Sequence, residues 1–138
     1  MNSQIPLSNI NPTPTHITFE DILTVYQNII DQSPFERIPA ISKSKTKFRL
    51  PVIPIDTLNE LIDQCQKIFQ EEPIILQLNA PILVIGDLHG HLFDLFRILK
   101  LHDISSPSFF EKKYLFLGDI VDRGEFSTET LTLILVLK

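Results

Sequence analysis

Two short apolar runs, "ILVIGD" at Ile82 to Asp87 and "YLFLGD" at Tyr114 to Asp119, end in the same Gly-Asp step, and this echo narrows the available folds more than any other feature. Each run has the length of an interior strand, and each is followed by apolar residues at helical spacing. After the first come Leu92, Leu95, Phe96 and Leu99; after the second, "STETLTLILVLK" starts at Ser127, a good N-cap type, and stays apolar to Lys138. Strand alternating with helix predicts an α/β arrangement with parallel neighbouring strands and right-handed crossovers. In open sheets of that kind ligands bind just beyond the carboxyl ends of the strands, so Asp87 and Asp119 are expected on one rim.

Upstream of the strands the chain changes character several times. Residues 1–16, with Pro6, Pro12 and Pro14 among Asn, Ser and Thr, read as an extended or disordered tail. Thr18 and Asp21 have capping-box spacing, and Phe19, Ile22, Leu23, Tyr26, Ile29 and Ile30 line one helical face that Pro34 closes. A proline-rich surface loop with Lys43, Lys45, Lys47 and Arg49 follows, so residues 17–55 are expected to form a helix and a basic loop. Thr57 and Glu60 then predict a second capping box, opening a helix whose buried side is Leu58, Leu61, Ile62, Cys65, Ile68 and Phe69 and which Pro73 ends.

Composition sets the outer bounds. With 43% apolar and 21% charged residues the chain is expected to fold around one core. A formal charge of −5 provides no broad basic field, which argues against nonspecific nucleic-acid binding. No run is long and apolar enough to span a bilayer, and the residues before Arg37 lack the basic and hydrophobic parts of a secretory signal, so no membrane partner is expected. Cys65 is the single cysteine: it cannot form an internal disulfide, reads as a small core residue rather than a nucleophile, and points to a reducing compartment, cytoplasmic or nuclear.

The chemistry sits at the two strand ends. In "GDLHG", Gly86 to Gly90, alternate residues Asp87 and His89 can direct a carboxylate and an imidazole to one side, where both could meet a cation. The flanking glycines allow the sharp turn this needs. In "GDIVDRG", Gly118 to Gly124, Asp119 occupies the place corresponding to Asp87, and its two oxygens suit a bridge between two ions. Asp122 is of a type that orients a histidine, and Arg123 offers a planar fork of donors matched to phosphate oxygens. Each piece alone has a plain structural reading, as a turn or a surface ion pair; together they point to a site.

"GDLHG" followed by "GDIVDRG" resembles the first two signature motifs of the phosphoprotein phosphatases, the metal-dependent serine/threonine protein phosphatases of the calcineurin-like metallophosphoesterase superfamily. The likeness covers Asp56 to Lys138 well, taking in the lead-in "LIDQCQKIFQEEPIILQLNAP" and the exit "DRGEFSTETL". It implies a partial metallophosphoesterase fold, with N-terminal helices followed by two β-α units of the central sheet, and residues 56–138 as the N-terminal part of a catalytic domain. By resemblance Asp87 and His89 ligate a first metal, Asp119 bridges it to a second, Arg123 binds the substrate phosphate, and Asp122 hydrogen-bonds a catalytic histidine from a later Gly-Asn-His-Glu motif. The implied reaction is direct hydrolysis of phosphoserine or phosphothreonine by water activated between two divalent ions, of manganese or iron and zinc type. Phosphorylated proteins would be the substrates and regulatory subunits the partners.

The sequence also departs from that pattern. It contains no Gly-Asn-His-Glu, so half of the site is expected here and little turnover from these residues alone. The apolar helix Leu131 to Leu137 is expected to leave a sticky surface. His91 stands where the family usually has glutamine and reads as a helix-start residue rather than a ligand; Ile120 replaces a frequent tyrosine. Two other readings stay open: a noncatalytic fragment that competes for phosphatase regulatory subunits, and a relative of the dinucleoside polyphosphate hydrolases, which share the early motifs.

Overall fold

The structure, a computed structural model, describes residues 17–32 and 50–138. The expected tail at 1–16, the helix-closing Pro34 and the basic cluster from Lys43 to Arg49 lie outside these residues. Within the described residues, helix α1 covers Phe19–Gln32, α2 Ile55–Glu71, strand β1 Leu83–Ile85, helix α3 Leu92–Leu101, strand β2 Tyr114–Phe116 and helix α4 Ser127–Val136. A short 3₁₀ turn, Pro107–Phe109, precedes β2.

Helix α1 starts as its sequence predicts. The Thr18 backbone N–H donates to an Asp21 carboxylate oxygen at 2.9 Å and the Asp21 N–H donates to Thr18 Oγ1 at 3.1 Å, so two otherwise unpaired donors are satisfied reciprocally. Ile22, Tyr26 and Ile30, spaced four apart, are buried from this helix. They meet Leu92, Leu95, Phe96 and Leu99 of α3 and Leu133 and Ile134 of α4, and the three helices share one core with Ile85, Leu88, Ile104 and Phe109. The Tyr26 and Phe96 rings pack edge to face at 5.9 Å, the arrangement their quadrupoles favour.

The two strands are parallel, in the register Leu83 to Tyr114, Val84 to Leu115 and Ile85 to Phe116, with α3 in the connection between them. This is the α/β pattern that the strand and helix alternation predicts, and it places Gly86-Asp87 and Gly118-Asp119 side by side at one end of the pair. Each strand is only three residues long. Val84 is exposed where an interior strand was expected, because no third element of the described residues covers that face.

Three expectations need correction. Helix α2 opens at Ile55 with Pro54 at its N-cap, so Thr57 is not a cap; it is buried inside the first turn with Leu61 and Cys65. The rigid φ of Pro54 suits entry to a helix, and the cap needs no side-chain hydrogen bond. On the same helix Ile62, Ile68 and Phe69, expected on the buried side, are exposed, since among the described elements α2 makes its principal packing with α4 alone. Ser127 likewise is the first residue of α4 and not its N-cap, which is Phe126; the serine hydroxyl is engaged in the preceding loop.

Helix α4 is apolar around most of its circumference, as its sequence predicts. Thr130 and Thr132 are buried in it without loss, because each Oγ1 donates to a carbonyl four residues back, Phe126 and Thr128, at 2.7 Å. Cys65 Sγ of α2 lies 3.4 Å from the Leu135 carbonyl, which confirms it as a core residue, and burial raises its thiol pKa above the ordinary value, with Lys138 pulling the other way. On the outer side of α4 an open cavity of about 630 Å³ is lined by Phe69, Leu76, Leu78, Phe116 and Leu135, so the expected apolar surface is present.

Candidate metal centre

The loop after β1 and the loop after β2 are laced together by main-chain hydrogen bonds. The Asp119 carbonyl accepts from Leu88 N–H at 3.1 Å and His89 N–H at 2.8 Å; Gly90 N–H donates to the Ile120 carbonyl at 2.7 Å. In return Gly124 N–H donates to the His89 carbonyl at 2.7 Å and Phe126 N–H to the Gly90 carbonyl at 3.2 Å. These bonds demand unusual backbone. His89, Asp119, Asp122 and Arg123, none of them glycine, have φ of 45, 48, 76 and 69°, a region that L-residues occupy at a cost of about 1–3 kcal/mol each and that clusters at functional sites.

The lacing brings three ligand-bearing side chains together. Asp87, His89 and Asp119 each offer one atom, and these atoms lie within 4.8 Å of one another. Asp87 and Asp119 are exposed and His89 partly buried, so the group opens to solvent on one side. The His89 Nε2 atom is 3.9 Å from Asp87 Oδ2, close enough for a cation to touch both. His89 Nδ1 sits 3.1 Å from the Val121 carbonyl, which can only accept, so Nδ1 carries a proton and Nε2, on the side of Asp87, is the nitrogen left to meet a metal. Two carboxylates and one imidazole form a donor set suited to a divalent ion of the first transition row and poorly suited to a soft monovalent ion. The residues fit a divalent metal centre.

The remaining residues named from the motifs are placed as follows. Asp122 and Arg123 are exposed on the loop after β2; Asp122 Oδ1 accepts from the Arg123 N–H at 2.8 Å, and no described carboxylate forms an ion pair with the Arg123 guanidinium. Asp122 has no histidine partner among its described contacts. His91 is exposed at the N-cap of α3, outside the ligand group, as expected. Two participants were not foreseen: the Val121 carbonyl, a main-chain group with no sequence signal, and Ser127, whose residue type matched an ordinary helix cap.

Residues 80–138, which carry the paired Gly-Asp strand ends and the candidate ligand group, match the family described as calcineurin-like phosphoesterases. Similarity to individual proteins is more specific. The serine/threonine-protein phosphatase BSL2 of Arabidopsis thaliana is 48% identical over 87 residues, covering 58% of this chain and 8% of the relative. The serine/threonine-protein phosphatase PP2A-like PPG1 of Candida albicans is 41% identical over 87 residues, covering 63% of this chain and 20% of the relative. The chain thus spans a minor part of the length of these curated relatives. No helix among the described residues is long and apolar enough to cross a membrane.

Proposed function

We propose that residues 56–138 are the N-terminal part of the catalytic domain of a serine/threonine protein phosphatase, which hydrolyses phosphoserine and phosphothreonine esters of proteins. The observation that carries this reading is the convergence of Asp87, His89 and Asp119 within 4.8 Å on the segment that matches the phosphoesterase family. The names of the two relatives, both serine/threonine-protein phosphatases, supply the substrate class.

In this reading Asp87 and His89 would hold a divalent ion, with Asp119 as a further ligand whose second oxygen would be available to another. Bound there, ions of manganese or of iron and zinc type would acidify water and neutralise charge on the phosphoryl oxygens. The Val121 carbonyl keeps His89 in the ligating tautomer. Arg123, exposed and free of a described carboxylate, clamps the substrate phosphate through paired N–H donors. Asp122 orients a histidine that this sequence does not contain, so these 138 residues alone hold metal and turn over little. Phosphorylated proteins are the substrates, and regulatory subunits the partners, of the whole phosphatase.

Calorimetric titration of the chain with manganese tests the site, and a phosphopeptide assay on the same sample tests the division of labour. Saturable binding that is lost in His89→Ala, with negligible phosphate release, is expected. An absence of binding, or equal binding by His89→Ala, would overturn the metal site; turnover at the rate of a complete enzyme would overturn the partial-site reading.

A further inference from the structure

Ser127 joins the two loops at a point that the ligand group does not use. Its Oγ accepts a hydrogen bond from the Asp122 N–H at 3.1 Å and lies 3.4 Å from the Gly124 carbonyl, to which it donates. One hydroxyl therefore closes both ends of the turn Asp122-Arg123-Gly124. That turn contains the two consecutive non-glycine residues with positive φ, Asp122 and Arg123, and such a conformation persists only where surrounding contacts hold it. The same hydroxyl also abuts the first loop: a Cβ built on Gly90, whose φ is +74°, would come within 2.5 Å of Ser127 Oγ. The oxygen thus rests on the main chain of the metal-ligand loop while gripping the arginine loop.

From this geometry we infer that Ser127 is the positioning residue that fixes the Asp122-Arg123 turn against the metal-ligand loop, setting the register between the phosphate-binding arginine and that loop. The inference rests on the phosphatase reading above. A helix-capping role would direct the hydroxyl to an N–H two or three residues ahead in α4. Here it turns backward instead, to residues five and three positions earlier. Without the hydroxyl the metal ligands keep their main-chain lacing, because none of those bonds involves Ser127. What is lost is the tie of the Asp122-Arg123 turn to α4, which leaves that turn to its internal bonds, Arg123 N–H to Asp122 Oδ1 at 2.8 Å and Gly124 N–H to the Asp122 carbonyl at 2.9 Å, and so free to shift. A bidentate clamp depends on orientation, so a freed arginine keeps its charge and loses its fit.

The test is a double-mutant cycle on the full chain, read as the affinity of inorganic phosphate for the manganese-loaded protein. Ser127→Ala is expected to weaken phosphate binding roughly tenfold, within the range of measured couplings between residues in contact. It should leave manganese affinity unchanged and have no effect on phosphate in an Arg123→Ala background. Amide hydrogen exchange gives a separate reading: Asp122 N–H should lose protection in Ser127→Ala while Gly90 and Gly124 N–H keep theirs. Should wild-type protein bind neither manganese nor phosphate, the phosphatase reading fails and takes this inference with it. If wild type binds both, the inference alone is overturned by any of three results: undiminished phosphate affinity in Ser127→Ala, an equal loss in the Arg123→Ala background, or unchanged exchange at Asp122.

Discussion

Gly124 and His89 are in main-chain contact across the two loops: the Gly124 N–H donates to the His89 carbonyl at 2.7 Å, and a Cβ on Gly124 would lie 2.5 Å from that same oxygen. His89 and the end of the arginine turn are therefore held at a separation that only glycine permits.

Gly124→Ala should consequently disable the site. The atoms that an added methyl group would meet are Gly90 C and O and the His89 O, all main chain, and none can rotate away. We expect a loss of about 1–3 kcal/mol in urea denaturation, the usual range for overpacking, together with much weaker manganese binding. Wild-type stability in this variant would show that the loops separate without cost.

Asp119→Asn keeps the shape of the side chain and removes its charge. Divalent manganese at about a hundred times its dissociation constant should stabilise the wild-type chain by about 2.7 kcal/mol, visible as a raised Tm. The variant should show no such rise at the same concentration. An unchanged manganese-dependent shift in Asp119→Asn would exclude the residue as a ligand.

Tyr26→Phe should be neutral or stabilising, by up to about 1 kcal/mol. Tyr26 is fully buried, its hydroxyl has no partner among the described residues, and burial, reinforced by Glu129, pushes its pKa well above the usual phenol range. The ring contact with Phe96 is retained by phenylalanine. Equilibrium denaturation of the two proteins decides the matter, and a marked loss would reveal a bond to the hydroxyl.

Cys65 should react slowly with a thiol reagent at pH 8 in the folded protein and quickly in urea. Burial favours the neutral thiol, so its folded pKa exceeds the unfolded one. The resulting stabilisation is complete below the unfolded pKa, about 8.5, and is lost as pH rises through the folded value. Cys65→Ala should accordingly show a shallower fall in stability above that pH than the wild type, and identical alkaline slopes would count against the shift.

Local patterns were legible along the chain where the physics is local. The Thr18 and Asp21 cap depends on residues three apart and forms as its spacing predicts. The apolar face of α3, Leu92, Leu95, Phe96 and Leu99, is buried in full. The repeated Gly-Asp step marked the two strand ends that lie side by side. Where a prediction depended on distant partners it went astray. Thr57 has the type of a cap and is buried in a helix that begins two residues earlier. Ile62, Ile68 and Phe69 share the period of the buried face and remain exposed, because periodicity defines a face without saying how wide a neighbour will cover it.

From residue order alone come the α/β alternation, the pair of acid-bearing strand ends and the identity of the side chains suited to a cation or to a phosphate, since strand and helix periods and the chemistry of Asp, His and Arg side chains are properties of short segments. Tertiary packing decided the rest: that the Asp119 carbonyl grips the backbone of Leu88 and His89, that Val121 selects the His89 tautomer, and that Ser127 faces back toward Asp122. These are contacts between segments far apart in the chain, or against the direction of a helix cap, and they exist only once β1 and β2 lie side by side.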